Sequence, residues 1–100
     1  MNNAELIEKW LHHEFDSKVT VVKHDTNHYP YWIDKGNLSC GQVNVAGFAV
    51  AIIYDTYVIY TPSYNSYPYR LMLADPSFFE KFGRMIDFCI RASCKPSTVF

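Results

Sequence analysis

The stretch from Val43 to Thr61 most constrains how this chain can fold, because it is the longest apolar, β-favouring run in the sequence. Branched and aromatic residues fill both halves of the run, and Asp55-Thr56 separates the halves. Two such halves around a two-residue break predict a β-hairpin. The expected cross-strand pairs are Tyr54 with Tyr57, Ile53 with Val58, and Ile52 with Ile59. We expect this hairpin to form the centre of a sheet.

The two faces of the predicted hairpin differ in side-chain size. With strict alternation along the strand, one face carries Gly47, Ala49 and Ala51, which would let a helix backbone approach closely. The other face is equally apolar but bulky, and it carries Phe48, Val50, Ile52 and Tyr54. A strand that is apolar on both faces is normally covered on both. The bulky face therefore needs a cover, which could be the first helix, a second copy of the chain or a partner.

A helix is predicted at each end of the chain. The N-terminal helix is expected at about residues 3–15, because Ile7, Leu11 and Phe15 recur every four residues. The C-terminal helix is expected at about residues 76–93, because Asp75 can cap a helix that has Pro76 at its first position.

The C-terminal helix carries an uninterrupted apolar stripe, which predicts a buried face. The stripe comprises Phe78, Phe79, Phe82, Met85, Ile86, Cys89 and Ile90. We expect its aromatic bulk to pack on the face that carries Gly47, Ala49 and Ala51. Gly83 lies at the edge of the stripe, where its cost in helix propensity suggests that it serves a close contact.

The order of these elements predicts the fold class. Further strands are expected at about residues 17–24, 29–33 and 70–73. The chain is thus predicted to be an α+β protein, in which the two helices flank an antiparallel sheet of three to five strands built on a central hairpin at about residues 43–61. Residues 1–94 are expected to form a single domain, and residues 95–100 a flexible tail after the break at Pro96.

Composition narrows the classes of function. The chain has 100 residues, a formal net charge of −1 and no basic cluster. Direct nucleic-acid binding is therefore disfavoured, since it requires a basic surface. No apolar run has the length of a membrane span, and the N-terminus does not resemble a signal peptide. The odd number of cysteines fits reduced thiols, which predicts a cytoplasmic protein. The lack of a long apolar run predicts no membrane partner.

The residues that could carry chemistry form no assembled set. His24 and His28 have a zinc-like spacing only if they lie on a helix, whereas they are predicted at a strand end and a turn. No glycine-rich phosphate loop is present. We therefore expect no metal site, no cofactor and no catalytic activity. The alternative is a small enzyme or ligand-binding domain that uses Cys40 with His24 or His28, because a reactive thiol needs a neighbouring base.

Tyrosine-rich loops give the clearest functional signal. Tyrosine with serine and asparagine is typical of binding surfaces, because it offers a large contact area at low entropic cost. Packing of these rings onto the sheet edges is the competing interpretation. The predicted partner-binding residues are Tyr29, Tyr31, Trp32, Tyr64, Asn65, Tyr67 and Tyr69.

Together these features predict a non-catalytic protein-binding module. It would act as a small inhibitor, adaptor or immunity-type accessory protein, of the size that bacteria and phages often use, by occupying a partner's surface. A homodimer is the related alternative, in which a second copy covers Phe48, Val50, Ile52 and Tyr54.

Overall fold

The computed structural model describes residues 3–24, 33–60 and 68–94. These ranges contain two helices, α1 (Asn3–Phe15) and α2 (Phe78–Cys94), and a 3-10 turn (Asp16–Lys18) follows α1. The strands are β1 (Val19–Lys23), β2 (Ile33–Asp34), β3 (Asn37–Leu38), β4 (Gly41–Val45), β5 (Phe48–Ile53), β6 (Tyr57–Tyr60) and β7 (Tyr69–Met72). The predicted α+β class is confirmed, and α1 has the predicted bounds.

Five strands form one antiparallel sheet in the order β1-β4-β5-β6-β7. Two neighbouring rows of residues share one face of this sheet. One row contains the pairs Val21–Val43 and Val43–Ala51, and the other contains the pairs Ile53–Val58 and Val58–Leu71. Paired residues lie on the same face of a sheet. These residues share one buried cluster with the apolar residues of both helices. Both helices therefore cover the same face, which we call the helix-covered face.

The stretch predicted as the first strand of the central hairpin contains a hairpin of its own. β4 ends at Val45 and β5 begins at Phe48, and these two residues are paired. The intervening Ala46 and Gly47 have φ angles of 53° and 84°, which is the signature of a type I′ turn. The single strand predicted through this point is wrong. The predicted pairs Ile53–Val58 and Ile52–Ile59 around Asp55-Thr56 are confirmed.

The strict alternation predicted for the two faces is also wrong. The pairing of β4 with β5 shifts between Val43 and Asn44, whose partners are Ala51 and Ala49, so that Val50 forms a bulge. Val50 consequently packs against the buried cluster, whereas Ala49 and Gly47 are exposed. Of the small residues that were predicted to meet the second helix, only Ala51 belongs to the buried cluster.

α1 and α2 contact each other at Gly83, where the absence of a side chain leaves room for the Trp10 ring. A Cβ atom on Gly83 would lie 3.3 Å from Cη2 of Trp10, so the predicted close contact of Gly83 is made with α1. The indole also packs on Phe79, with ring centroids 4.8 Å apart. α2 begins two residues later than predicted, after a turn in which Oδ1 of Asp75 accepts a hydrogen bond from the Ser77 backbone N–H at 2.8 Å.

The opposite face of the sheet carries no helix among the described residues, and we call it the open face. Its row runs through Val22, Gln42, Ile52, Ile59 and Arg70, which are paired across neighbouring strands. The two-stranded ribbon of β2 and β3 is joined to this row, because Asp34 bonds Arg70. Neither helix in the described part of the chain is long and apolar enough to cross a membrane.

Candidate functional site

The structure describes one of the predicted partner-binding residues, Tyr69. The other six (Tyr29, Tyr31, Trp32, Tyr64, Asn65 and Tyr67) lie outside the described residues, as does the predicted tail at 95–100. Tyr69 opens β7 and is 52% exposed.

Phe48 is the most exposed large apolar side chain among the described residues, at 73%. It follows Ala46 and Gly47, and both of those residues have positive φ. A two-residue turn with this geometry matches the twist of its strands and holds the residues beside it in a fixed direction. Phe48 is therefore an apolar group presented to solvent by ordered backbone.

Tyr60 connects Tyr69 to the buried cluster. The two tyrosine rings stack with centroids 5.7 Å apart, and the Tyr60 ring meets Phe82 of α2 edge-on at 6.5 Å. Because neighbouring strands are antiparallel, the start of β5, the end of β6 and the start of β7 share one end of the sheet. Phe48, Tyr60 and Tyr69 thus form what we call the aromatic sheet end.

The structure does not bring the four predicted self-association residues together on an exposed face. Phe48 is exposed, but the bulge turns Val50 toward the buried cluster. Ile52 is half-buried on the open face. Tyr54 is only 4% exposed, with its ring stacked on Tyr57 at 5.0 Å. The bulky surface that alternation predicted is therefore absent from this arrangement.

A partly buried chain of polar side chains, which the sequence did not reveal, connects the end of β1 with β4. Nδ1 of His24 lies 2.6 Å from Oγ of Ser39, and Nε2 lies 3.1 Å from Oε1 of Gln42. Gln42 in turn donates to Oδ1 of Asn44 at 3.0 Å. This orientation of the amide lets a neutral imidazole donate from Nε2 and accept from the Ser39 hydroxyl. Both ring nitrogens are thus engaged, and Ser39 is buried.

A second polar group ties the ribbon to β6 and β7. The Tyr57 hydroxyl donates to Oδ2 of Asp34 at 2.5 Å, and this hydrogen bond raises the pKa of Tyr57 because it favours the protonated phenol. Arg70 bonds the same carboxylate oxygen at 2.9 Å and lies 4.5 Å above the Tyr57 ring. The phenol, the carboxylate and the guanidinium in this cluster are therefore bound to one another, which favours a structural role.

Cys40 lacks the surroundings of an activated nucleophile. Its thiol lies 3.5 Å from the Ile53 carbonyl oxygen, and burial raises the pKa of the thiol. A reactive cysteine needs a lowered pKa and a nearby base. His24 is adjacent through the backbone, but its ring bonds Ser39 and Gln42, and His28 lies outside the described residues. These contacts do not favour the pairing on which the enzyme alternative depends.

Within the described ranges, no group of three or more His, Cys, Asp or Glu side chains is placed to hold a metal ion. The chain matches no protein-family model, no curated protein and no solved structure. Among the described residues, the aromatic sheet end carries the most exposed large apolar side chain.

Proposed function

We propose that this protein is a non-catalytic protein-binding module that engages its partner through the aromatic sheet end. The observation that carries the proposal is the phenyl ring of Phe48, which is 73% exposed beside a turn of fixed geometry. Exposed aromatic groups on ordered backbone are typical anchors of protein interfaces, because little conformational entropy is lost when they are buried.

Tyr69 supplies the second anchor in this proposal. Its ring already rests on Tyr60, so a partner would contact a side chain whose orientation is set in advance. The predicted contact residues Tyr64, Asn65 and Tyr67 lie in the sequence between β6 and β7. They therefore belong to the segment that joins Tyr60 to Tyr69 in the sequence, and we propose that they also contact the partner.

The proposed setting is the cytoplasm, where such a module would act as an inhibitor or adaptor. Cys40 is a free thiol, which is the common state of cysteine in a reducing compartment. Surface occupation needs no cofactor, so the proposal invokes none.

The test is a comparison of captured proteins. Tagged native protein and the double variant Phe48→Ser with Tyr69→Ser would be used to capture partners from a lysate, and the captured proteins identified by mass spectrometry. We expect the native protein to enrich a specific partner, and the double variant to lose it with an unchanged circular dichroism spectrum. Phe88→Ser is the matched control, because Phe88 is also an exposed phenylalanine but lies on α2.

Three outcomes would contradict the proposal. The first is equal recovery of the partner by the native protein and the double variant. The second is loss of the partner by the Phe88→Ser control to the same extent. The third is a specific partner that binds as a substrate and is released chemically altered, which would move the protein to the class of enzymes.

A further inference from the structure

A second surface, independent of the aromatic sheet end, lies between the two helices. It is a groove of about 550 Å³ lined by Leu6, Lys9, Trp10, His13 and Phe79. We call it the interhelical groove. Small-molecule sites usually occupy roughly 300–1,000 Å³, so the groove has the size of a ligand site. Four of its lining residues lie on α1 and the fifth on α2.

The floor of the groove is apolar. Trp10 and Phe79 pack with ring centroids 4.8 Å apart, and the Trp10 ring also lies against Gly83. Leu6 and Phe79 remain 48% and 41% exposed, although both belong to apolar stripes of their helices. Burying such surface is favourable by about 25 cal/mol per Å². The floor therefore favours an occupant with an apolar body.

The polar groups on the rim are both basic. Lys9 and His13 line the groove one helical turn apart, and no carboxylate of the described residues lines it. Lys9 forms no ion pair with a described residue, whereas Lys23, for example, pairs with Glu8. His13 lies 3.9 Å from Glu14, which offsets any charge on its ring. The excess positive charge of the rim thus belongs to Lys9.

We propose that the interhelical groove binds a small amphiphilic anion, in which an aliphatic body is joined to a single acidic headgroup. The body covers Leu6, Trp10 and Phe79, and the headgroup lies beside the Lys9 ammonium. The size of the groove, its apolar floor and the Lys9 ammonium on its rim together favour this class. Neutral and cationic amphiphiles would make the same apolar contacts, but the Lys9 ammonium would not attract their headgroups.

The probe for this site is decanoate, and binding is read from Trp10. The experiment uses a Trp32→Phe background, in which Trp10 is the remaining tryptophan. Decanoate is titrated below its micelle concentration, and we expect a saturable shift of the Trp10 emission. Decanol and decyltrimethylammonium have the same chain length and serve as comparisons. A single surface charge contact is worth at most about 1 kcal/mol, so decanoate should bind up to about fivefold more tightly than decanol.

Variants separate the two contributions. Lys9→Gln should reduce decanoate binding to that of decanol, whereas Lys18→Gln, the same change at a lysine outside the groove, should leave it unchanged. Leu6→Gln should weaken the binding of all the amphiphiles. Because Lys9 and Leu6 are exposed, these variants are expected to keep the native circular dichroism spectrum.

The proposal fails if decanoate causes no saturable change in Trp10 emission. It also fails if decanol binds as tightly as decanoate, if Lys9→Gln behaves like Lys18→Gln, or if the cationic amphiphile binds most tightly. None of these results bears on partner capture by the aromatic sheet end, so the two proposals succeed or fail separately.

Discussion

The two faces of the sheet are held to the rest of the chain by different kinds of contact. On the helix-covered face, apolar residues of β1, β4, β5, β6 and β7 join the apolar stripes of α1 and α2 in one buried cluster. The open face instead carries two hydrogen-bonded groups that connect neighbouring parts of the chain, one centred on His24 and one on Tyr57. One face is thus secured by burial and the other by directional polar contacts.

This difference matters because the two kinds of contact tolerate change differently. Apolar packing is spread over many neighbours, and its loss scales with the volume removed. A buried polar group depends on one or two partners, so that removing either partner leaves the other without its hydrogen bond.

Phe82→Ala tests the apolar packing of the helix-covered face at a fully buried side chain. Phe82 is fully buried and packs on Phe78, Trp10 and Tyr60. We expect the variant to lower the free energy of unfolding by about 3–5 kcal/mol, because it leaves a cavity in the cluster. Urea denaturation measures this. Phe88→Ala is the matched control on the exposed side of α2 and should change stability by less than about 0.5 kcal/mol; similar losses in the two variants would contradict the assignment.

His24→Leu tests the polar chain of the open face. The leucine keeps apolar bulk but removes the hydrogen-bonding partner of Ser39 and Gln42. The expected loss is about 1–3 kcal/mol, the usual cost of breaking buried hydrogen bonds. The same change at the exposed His12 should be nearly neutral. A stabilised His24→Leu protein would show that packing rather than hydrogen bonding holds this part of the face.

The turn between β4 and β5 offers a smaller test. Gly47→Ala places a Cβ at a φ of 84°, and we expect a loss of about 1 kcal/mol from backbone strain. Ala46→Gly should act in the opposite direction, since Ala46 already has a φ of 53° and glycine adopts this region without a steric cost. Thermal denaturation of the two variants compares them directly. A uniform effect of both changes would argue against the turn.

The smallest effect concerns how α2 begins on the helix-covered face. The hydrogen bond from Lys81 Nζ, followed by that from the Ser77 backbone N–H, lowers the pKa of Asp75. A lowered pKa in the folded state means that the contribution is present above the ordinary value of 3.8 and is lost as the pH falls through the folded value.

Asp75→Asn should therefore flatten the dependence of stability on pH below about pH 4. Urea midpoints at neutral and acidic pH measure this slope. Lys81→Gln is the companion variant, because it removes the largest cause of the shift. If both variants kept the native slope, another carboxylate would be responsible for it.

The sequence predicted the helix-covered face better than the open face, and the reason is physical. Periodic burial at every third or fourth residue is visible in one dimension, so α1 was predicted at its observed bounds and α2 within two residues of its start. The pairs Ile53–Val58 and Ile52–Ile59 followed from a short turn between two apolar runs. Local patterns of this kind require no knowledge of distant residues.

Two local features, a turn and a bulge, were not predicted because their residues lack the usual sequence signatures. Ala46-Gly47 forms a turn that usually contains Asn-Gly or Asp-Gly, and alanine at positive φ is uncommon. The bulge at Val50 then shifted the alternation, which misassigned Phe48 and Val50 to the face of Ile52. A one-residue slip exchanges the faces of every residue on one side of it.

The polar groups were hidden because they depend on non-local pairing. His24 meets Ser39 and Gln42 only because β1 pairs with β4 across an inserted ribbon. The same is true of the aromatic sheet end and the interhelical groove, each of which combines residues from separate elements. The tyrosine content predicted a binding surface but identified neither Leu6 nor Lys9 as part of one, and Phe48 was predicted only as a self-association residue.

The claim that both helices cover the same face can be tested most directly by proton NMR. The Ala4 methyl group lies about 3.0 Å from the position of a Cβ on Gly41, and the Trp10 ring lies against Gly83. We therefore predict nuclear Overhauser effects from the Ala4 methyl to the Gly41 Hα protons and from Trp10 to the Gly83 Hα protons. Effects from Ala4 or Trp10 to the methyl groups of Ile52 or Ile59 would instead place α1 on the open face and contradict the account.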